Sequence, residues 1–306
     1  MPEQWLKIGG VPTRVLSYGK PIEEETFERK ELVLCITGNP GLPGFYTVFL
    51  SNLFRLLIDI PVWGIGHAGH DELEDELHKM PSLRDNKALY NLHGQIKHKA
   101  EFIRHYIPGD VKIHLIAHSI GCYMTLELLK INDINQRIKH SYLLFPTIEY
   151  MADSAAGKFF IGYIESNFKI IFWLSKILAY IPFALQGFFI GAYFWIKSIP
   201  LAFLETAYIQ LKPNVLSKII FLASDEMVQV QAPAYDIIEK NKQRLSFFYS
   251  TTDEWAPVTF YERLIAHFPG IDASITDQFK HAFVLNTSPD VAAFIAGRIL
   301  EQTEKE

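Results

Sequence analysis

One serine of the chain lies on a short turn between a strand-like run and a helix-like run. Val111 to Ala117 is mostly apolar, which predicts a buried strand, and the residues from Gly121 onward have the composition of a helix. Ser119 then lies where the main-chain N–H groups that begin the helix can stabilise a negative charge. This arrangement predicts acyl transfer to a serine hydroxyl. The alternative is a serine that only caps the helix.

Small residues flank this serine on both sides. Ala117-His118-Ser119-Ile120-Gly121 matches the G-x-S-x-G nucleophile elbow of α/β-hydrolases, with alanine in place of the first glycine. A bulky residue at either flank would strike the adjoining strand or helix, whereas alanine adds only a methyl group. The motif predicts Ser119 as nucleophile and the N–H of Ile120 as an oxyanion donor. His118 is expected to pack beside the serine and not to act as its base.

An acid and a histidine should follow on loops after later strands, in that order. Asp253 follows the strand-like run Arg244 to Ser250, and His281 follows the run Ala273 to Thr276. In this chemistry the imidazole takes the serine proton, and the carboxylate holds the required tautomer and stabilises the imidazolium. Asp225 is the alternative acid, since some hydrolases carry it one strand earlier.

A second oxyanion donor is expected on the loop after an early strand. Leu32 to Thr37 is such a strand, and Gly38-Asn39-Pro40-Gly41 follows it directly. The glycines let the main chain approach a substrate closely. Pro40 has no N–H, so Asn39 is the expected donor, with Leu42 as an alternative. An ordinary tight turn would have the same composition.

Strand-like and helix-like segments alternate through most of the chain. Leu92 to Arg104 is a predicted helix before the strand that carries the serine. Further strands are predicted at Trp5 to Ile8, Arg14 to Tyr18, Pro61 to Ile65 and Tyr142 to Phe145. The alternation predicts an α/β-hydrolase fold, with a mostly parallel central sheet and helices on both faces.

Bulk composition narrows the function classes. The 306 residues carry a formal net charge of −5, which gives no reason to expect a nucleic-acid partner. Cys35 and Cys122 offer no disulfide framework, which favours a reducing compartment. The first ten residues lack the basic start and apolar core of a secretory signal. His67, His70 and His78 match no familiar ligand spacing, so neither a metal nor another cofactor is predicted.

One stretch departs from the globular pattern. Ile177 to Ile196 has no charge in twenty positions, and Phe159 to Ile199 holds 13 of the 42 aromatic residues. It could form buried lid helices, a membrane-spanning helix, or a broken helix pair embedded in one leaflet. A membrane-spanning helix would place the two flanking segments on opposite sides of the membrane, although both must return to one hydrolase core. Pro182 favours the broken pair, a monotopic hairpin at about residues 159–199.

Four motifs together resemble the lipid droplet-associated serine hydrolase family. They are Thr37-Gly38-Asn39-Pro40-Gly41, Ala117-His118-Ser119-Ile120-Gly121, Phe145-Pro146-Thr147, and the late Asp253 and His281. The resemblance runs from about Val33 to the final helix. It implies a Ser119–Asp253–His281 triad, and an insertion that targets lipid droplets and the cytosolic face of the endoplasmic reticulum. It also implies neutral-lipid turnover, with weak cholesteryl ester hydrolysis as the proposed activity and droplet fusion or clustering argued beside it.

We therefore predict a core at residues 1–147 and 215–306 and an apolar lid insertion at residues 148–214. The predicted function is serine hydrolysis of a neutral lipid, most of all a sterol ester, at a lipid-droplet or endoplasmic-reticulum surface. One alternative is a droplet organiser that promotes clustering, fusion or triglyceride storage without catalysis. Another is a soluble esterase or thioesterase. The sequence identifies no protein partner.

Overall fold

A mostly parallel sheet forms the centre of the molecule. The computed structural model describes residues 3–22, 24, 30–72 and 79–303. Within these ranges the strands are β1 (Glu3–Ile8), β2 (Val11–Tyr18), β3 (Glu31–Ile36), β4 (Val62–Ile65), β5 (Lys112–His118), β6 (Ile138–Leu144), β7 (Leu245–Ser250) and β8 (Ala273–Thr276). They form one sheet in the order β1-β2-β4-β3-β5-β6-β7-β8. The last six in this order are parallel to one another, as predicted.

The antiparallel edge of the sheet is a hairpin. β1 pairs with β2, and β2 pairs antiparallel with β4. The two residues between β1 and β2 are Gly9 and Gly10, with φ of 56° and 84°. A two-residue hairpin turn with positive φ at both positions favours glycine, which explains this local sequence.

Helices cover both faces of the sheet. The main helices of the core are α1 (Thr47–Leu57), α2 (Lys87–Tyr90), α3 (Leu92–Tyr106), α4 (Ile120–Leu128) and α5 (Asn132–Asn135). Between β6 and β7 lie α6 (Ala155–Phe159), α7 (Phe168–Leu178), α8 (Phe183–Lys197), α9 (Leu204–Leu211), α10 (Pro213–Gln229) and α11 (Tyr235–Asn241). The chain ends with α12 (Val258–His267), α13 (Phe283–Asn286) and α14 (Ser288–Thr303).

Side chains of β3 point alternately to the two faces of the sheet, and each face has its own buried cluster. Leu32, Leu34 and Ile36 belong to one buried cluster, which includes residues of α3 and α4. Val33 and Cys35 point to the other face, where they join a cluster with α1 and α14. Because both faces of β3 are buried, the strand is apolar throughout. The predicted helical cover on both faces is confirmed.

The parallel register brings three turns to one edge of the sheet. Ile36 of β3 pairs with Ala117 of β5, and Ala117 pairs with Leu143 of β6. The loop after β3, the turn at Ser119 and the turn after β6 therefore lie side by side. The predicted catalytic residues that follow β3 and β5, which are Asn39, Ser119 and Ile120, all lie at this edge.

The inserted segment between β6 and β7 is helical. A π-helical turn, Phe160–Glu165, continues α6, and the apolar stretch is then divided between α7 and α8. Gln186 is buried and donates to the carbonyls of Leu178 (3.0 Å) and Ile181 (2.7 Å), which ties α8 to the end of α7. In the ranges that the structure describes, every helix is too short or too polar to cross a membrane.

Many large apolar side chains of this segment face outward. Trp173 is 65% exposed, Tyr180 is 90% exposed and Trp195 is 83% exposed. Further apolar side chains of α7 and α8 that are about half exposed or more are Ile170, Leu174, Ile177, Phe183, Leu185, Phe188, Phe189, Tyr193 and Ile196. Exposed apolar side chains in such number are typical of surfaces that contact lipid or another protein. We call α7 and α8 with these side chains the apolar helix pair.

Candidate active site

The turn between β5 and α4 holds Ser119 in an unusual backbone conformation. Its φ is 54° and its ψ is −123°, a region that residues other than glycine rarely occupy. Its N–H donates to the carbonyl of Leu144 at 3.0 Å, and that bond fixes the turn against β6. A Cβ at Gly121 would lie 2.7 Å from the carbonyl oxygen of Ile36, so this position requires glycine. Ala117 is fully buried in β5.

Three of the predicted residues form a continuous hydrogen-bonded chain. His281 Nε2 lies 2.9 Å from Ser119 Oγ, and His281 Nδ1 lies 2.7 Å from Asp253 Oδ2. The other carboxylate oxygen of Asp253 accepts from the N–H groups of Trp255 (2.8 Å) and Ala256 (3.0 Å). The loops after β7 and β8 thus bring an acid and an imidazole to the serine at the end of β5.

The electrostatics suit a carboxylate that stays ionised. Burial of Asp253 opposes its charge, but the hydrogen bond from His281 and the two main-chain donors outweigh burial and lower its pKa. An ionised Asp253 accepts a hydrogen bond from the N–H at His281 Nδ1. When that nitrogen carries the ring's one proton, Nε2 can accept a hydrogen bond from the Ser119 hydroxyl. That arrangement can make the hydroxyl nucleophilic.

The alternative acid does not reach this site. Asp225 lies inside α10, where its carboxylate accepts from the N–H of Leu92 at the start of α3 at 2.8 Å. An acid one strand before Asp253 would follow a strand, whereas Asp225 is helical. The first N–H groups of a helix have no partner within that helix, and Asp225 accepts from one of them. Its carboxylate therefore stabilises the start of α3.

The predicted oxyanion loop lies against the serine. A Cβ at Gly38 would lie 2.9 Å from Ser119 Cβ, so the main chain passes the serine closely. Asn39 lines the same cavity as Ser119, and its side-chain amide donates to the Ile219 carbonyl and to Glu226 Oε1, each at 3.2 Å. The structure brings Asn39, Ile120 and the alternative Leu42 to this region. Their role as oxyanion donors stays a prediction.

Glu226 is a functional candidate that sequence reasoning missed. It is 1% exposed, and burial raises the pKa of its carboxyl well above the ordinary value. It lines the cavity beside Asn39. The available signal was its position on α10 four residues after Leu222, which places it on the buried stripe of that helix.

An apolar cavity of about 770 Å³ opens onto the serine. Its walls come from the oxyanion loop, from the loop of His281 and from the inserted helices, and the apolar residues include Phe45, Met151, Ile190, Phe194, Ile219 and Leu285. Its polar side chains include those of Asn39, Tyr46, His118, Ser119, Gln186, Gln210, Glu226 and His281. A long apolar ligand with one polar group at the serine fits this chemistry.

His118 is close to the serine in sequence, but its ring turns away. Its Nδ1 lies 2.6 Å from the Tyr46 hydroxyl, and its Nε2 lies 2.9 Å from the carbonyl of His281. Burial lowers the pKa of His118 to about 3. The ring is therefore neutral and already bonded at both nitrogens, which does not suit a general base.

The histidines considered as metal ligands lie behind the oxyanion loop. The rings of His67 and His70 are 5.4 Å apart, and His70 Nδ1 donates to the carbonyl of Pro40 at 2.7 Å. His78 lies outside the described residues. Among the residues that are described, no three metal-ligating side chains lie close enough to hold an ion.

Comparisons with known proteins bear on the family and the fold of this chain. The family described as "Lipid-droplet associated hydrolase" matches residues 29–284. A "Lipid droplet-associated hydrolase" of Drosophila melanogaster is 45% identical over 304 residues, covering 98% of each chain. One of Mus musculus is 33% identical over 308 residues, covering 96% of this chain and 93% of the relative. An alpha/beta hydrolase enzyme from a deep-sea metagenome library superposes with a TM-score of 0.64 at 13% identity, over 96% of both chains. The predicted α/β-hydrolase fold is confirmed.

Proposed function

Because the chain belongs to the lipid-droplet associated hydrolase family, we propose that it is a serine ester hydrolase of neutral lipids at the droplet surface. The observation that carries the proposal is the Ser119–His281–Asp253 chain of hydrogen bonds at the floor of an apolar cavity. Sterol esters are the leading substrates, since both halves of such an ester are apolar.

The proposed reaction has two steps. His281 Nε2 takes the Ser119 proton while Oγ attacks the acyl carbonyl, and the N–H groups of Ile120 and Asn39 bind the oxyanion. The imidazolium, stabilised by Asp253, then gives its proton to the departing alcohol oxygen. Water, deprotonated by the same imidazole, attacks the acyl carbon; the imidazolium then returns the proton to Ser119 Oγ as the bond to the acyl group breaks and the fatty acid leaves.

The apolar helix pair is the proposed contact with lipid. Its exposed aromatic side chains would insert among acyl chains, and Lys176 and Lys197 would stay at the polar boundary. Insertion into one leaflet suits a phospholipid monolayer over neutral lipid, which has no second aqueous side. We place the protein on droplets and on the cytosolic face of the endoplasmic reticulum, held monotopically, with residues 148–214 as its lid.

One observation favours a second function. The apolar helix pair exposes far more apolar surface than a soluble enzyme needs, and none of that surface depends on Ser119. A droplet organiser that bridges or clusters droplets would use this surface alone. Weak catalysis and clustering can also coexist in one protein.

The first test is covalent labelling by a fluorophosphonate in the presence of phospholipid-coated triolein droplets. Wild type should label, and Ser119→Ala and His281→Ala should not. His105→Ala is the matched control, because His105 is on the exposed side of α3, where its Nδ1 donates to the Glu101 carbonyl of the same helix at 2.8 Å. Folded wild type that never labels, under conditions where a control lipase does, would contradict the proposal.

The second test separates catalysis from droplet binding. Replacing Trp173, Tyr180 and Trp195 by serine should reduce flotation with droplets. Ile58→Ser should not, because Ile58 is similarly exposed, at 75%, but lies at the end of α1, outside the inserted segment. Release of the carboxylic acid is then measured from cholesteryl oleate, triolein and a short soluble ester. If Ser119→Ala still clusters droplets as well as wild type, the organiser function stands beside hydrolysis. If it loses clustering, organisation depends on catalysis.

A further inference from the structure

A buried line of hydrogen bonds joins the oxyanion loop to the loop of His281. The N–H of Gly38 donates to the Tyr46 hydroxyl at 2.8 Å, and that hydroxyl lies 2.6 Å from His118 Nδ1. His118 Nε2 lies 2.9 Å from the carbonyl oxygen of His281. Gly38, at one end of the line, directly precedes Asn39, and His281, at the other end, carries the imidazole that contacts Ser119.

The chemistry of the two ends assigns every proton in this line. A main-chain N–H can only donate, so the Tyr46 oxygen accepts from Gly38. A carbonyl can only accept, so His118 carries its proton on Nε2. His118 Nδ1 is then an acceptor, and the Tyr46 hydroxyl must donate to it. Only one tautomer of His118 satisfies all three bonds.

The line is buried and packed against aromatic rings. Tyr46 is 3% exposed and His118 is 6% exposed. Phe283 packs edge-on against the His118 ring with centroids 5.1 Å apart, and Phe145 does so at 6.1 Å. Hydrogen bonds in such surroundings are stronger than in water, and a missing partner is costly.

We propose that Tyr46 and His118 are positioning residues that hold the oxyanion loop and His281 at the separation the reaction requires. The inference rests on the proposed serine hydrolase function. Neither residue contacts the reacting atoms: one fixes the loop that precedes Asn39, and the other fixes the main chain of His281. A displacement of about 1 Å between such groups lowers rates by about 100-fold.

The burial of His118 also serves the reaction. Its pKa of about 3 keeps the ring neutral while the His281 imidazolium forms, with the ring centroids 5.1 Å apart. The titratable groups that face His118 are Tyr46, whose hydroxyl bonds Nδ1, His281 and, beyond it, Asp253. A neutral His118 therefore adds no positive charge beside the imidazolium.

The test uses conservative variants of both residues. Tyr46→Phe keeps the ring but leaves the Gly38 N–H without its partner, and we expect kcat and the phosphonylation rate to fall 10- to 100-fold with KM unchanged. Tyr90→Phe is the matched control: this buried tyrosine donates to the Pro81 carbonyl at 2.6 Å, away from the cavity. It should react like wild type.

A graded pair tests His118. His118→Gln keeps a donor that reaches the His281 carbonyl, whereas His118→Leu keeps none, so the rates should rank wild type, then glutamine, then leucine. Thermal melting of each variant shows whether it is folded. Losses that follow melting temperature across all variants, Tyr90→Phe included, would overturn the positioning role.

The outcomes also separate this inference from the proposed function. A folded wild type that does not react overturns both. If wild type reacts, and Tyr46→Phe and His118→Leu react at the same rate as wild type, the positioning role is overturned and the hydrolase proposal stands.

Discussion

Replacing Asp253 by asparagine should abolish reactivity while leaving the fold intact. In the structure Asp253 Oδ1 accepts two main-chain N–H groups, from Trp255 and Ala256, and Oδ2 accepts from His281 Nδ1. The asparagine carbonyl oxygen must take the first position, because only an acceptor satisfies both N–H groups. The amide nitrogen is then forced toward His281.

That orientation reverses the tautomer of the imidazole. Facing a donor, His281 Nδ1 must become an acceptor, so the ring proton moves to Nε2, which lies 2.9 Å from Ser119 Oγ. A protonated Nε2 cannot take the serine proton. Serine hydrolases with this defect lose about 10⁴ in kcat, so we expect a loss of about 10³ to 10⁴, or about 4–5 kcal/mol of transition-state stabilisation.

The assay is the second-order rate of fluorophosphonate labelling beside a melting curve. Asp225→Asn is the matched control, because the asparagine oxygen still accepts from Leu92 and the site is untouched. A labelling rate for Asp253→Asn within tenfold of wild type would refute the tautomer reasoning. Loss in Asp225→Asn instead would move the acid to α10.

Three further perturbations have defined outcomes. Gly121→Ala places a methyl group against two carbonyls of the strand and turn before the oxyanion loop, so labelling should fall at least tenfold and the melting temperature should drop; equal behaviour to wild type would contradict the packing. Glu31, whose pKa is lowered to about 2 chiefly by its hydrogen bond with His114, stabilises the fold above its ordinary pKa of about 4.5. Relative to Glu31→Gln, wild type should lose about 1 kcal/mol of unfolding free energy between pH 7 and pH 3, measured by urea unfolding, because solvent screens this partly exposed group and the loss is complete only below a pH of about 2. Gln186→Leu frees two carbonyls between α7 and α8 and should cost about 1–3 kcal/mol, seen as faster proteolysis of that turn; unchanged cleavage would contradict the contact.

Local sequence patterns accounted for the sheet and for the serine turn. β5 and Ser119 could be predicted because an apolar strand, small flanking residues and a helix follow one another within about twenty positions. Asp253 and His281 could be predicted by their order and by the strands before them. In each case the information lies within one strand–loop unit, where side-chain alternation and turn chemistry act over short distances.

Contacts between distant parts of the chain could not be predicted. Tyr46 meets His118 across 72 positions, and Asn39 meets Glu226 across 187. These pairs depend on the register of parallel strands and on how α10 packs across the sheet edge, and no local pattern records either. The choice between Asp225 and Asp253 was open for the same reason. The division of the chain at residues 148 and 214 stays a prediction.

Helix α8 has two faces that meet different surroundings. Ile190 and Phe194 line the cavity, and Phe194 is buried, while Trp195 at the next position points outward. A single helix thus separates the cavity from whatever covers the outer face. If that cover is a lipid monolayer, the ester never dissolves in water, and its effective concentration is a mole fraction within a surface. Hydrolysis would then fall when inert phospholipid dilutes the ester at constant total ester, and it would be insensitive to dilution of the whole suspension once the enzyme is bound.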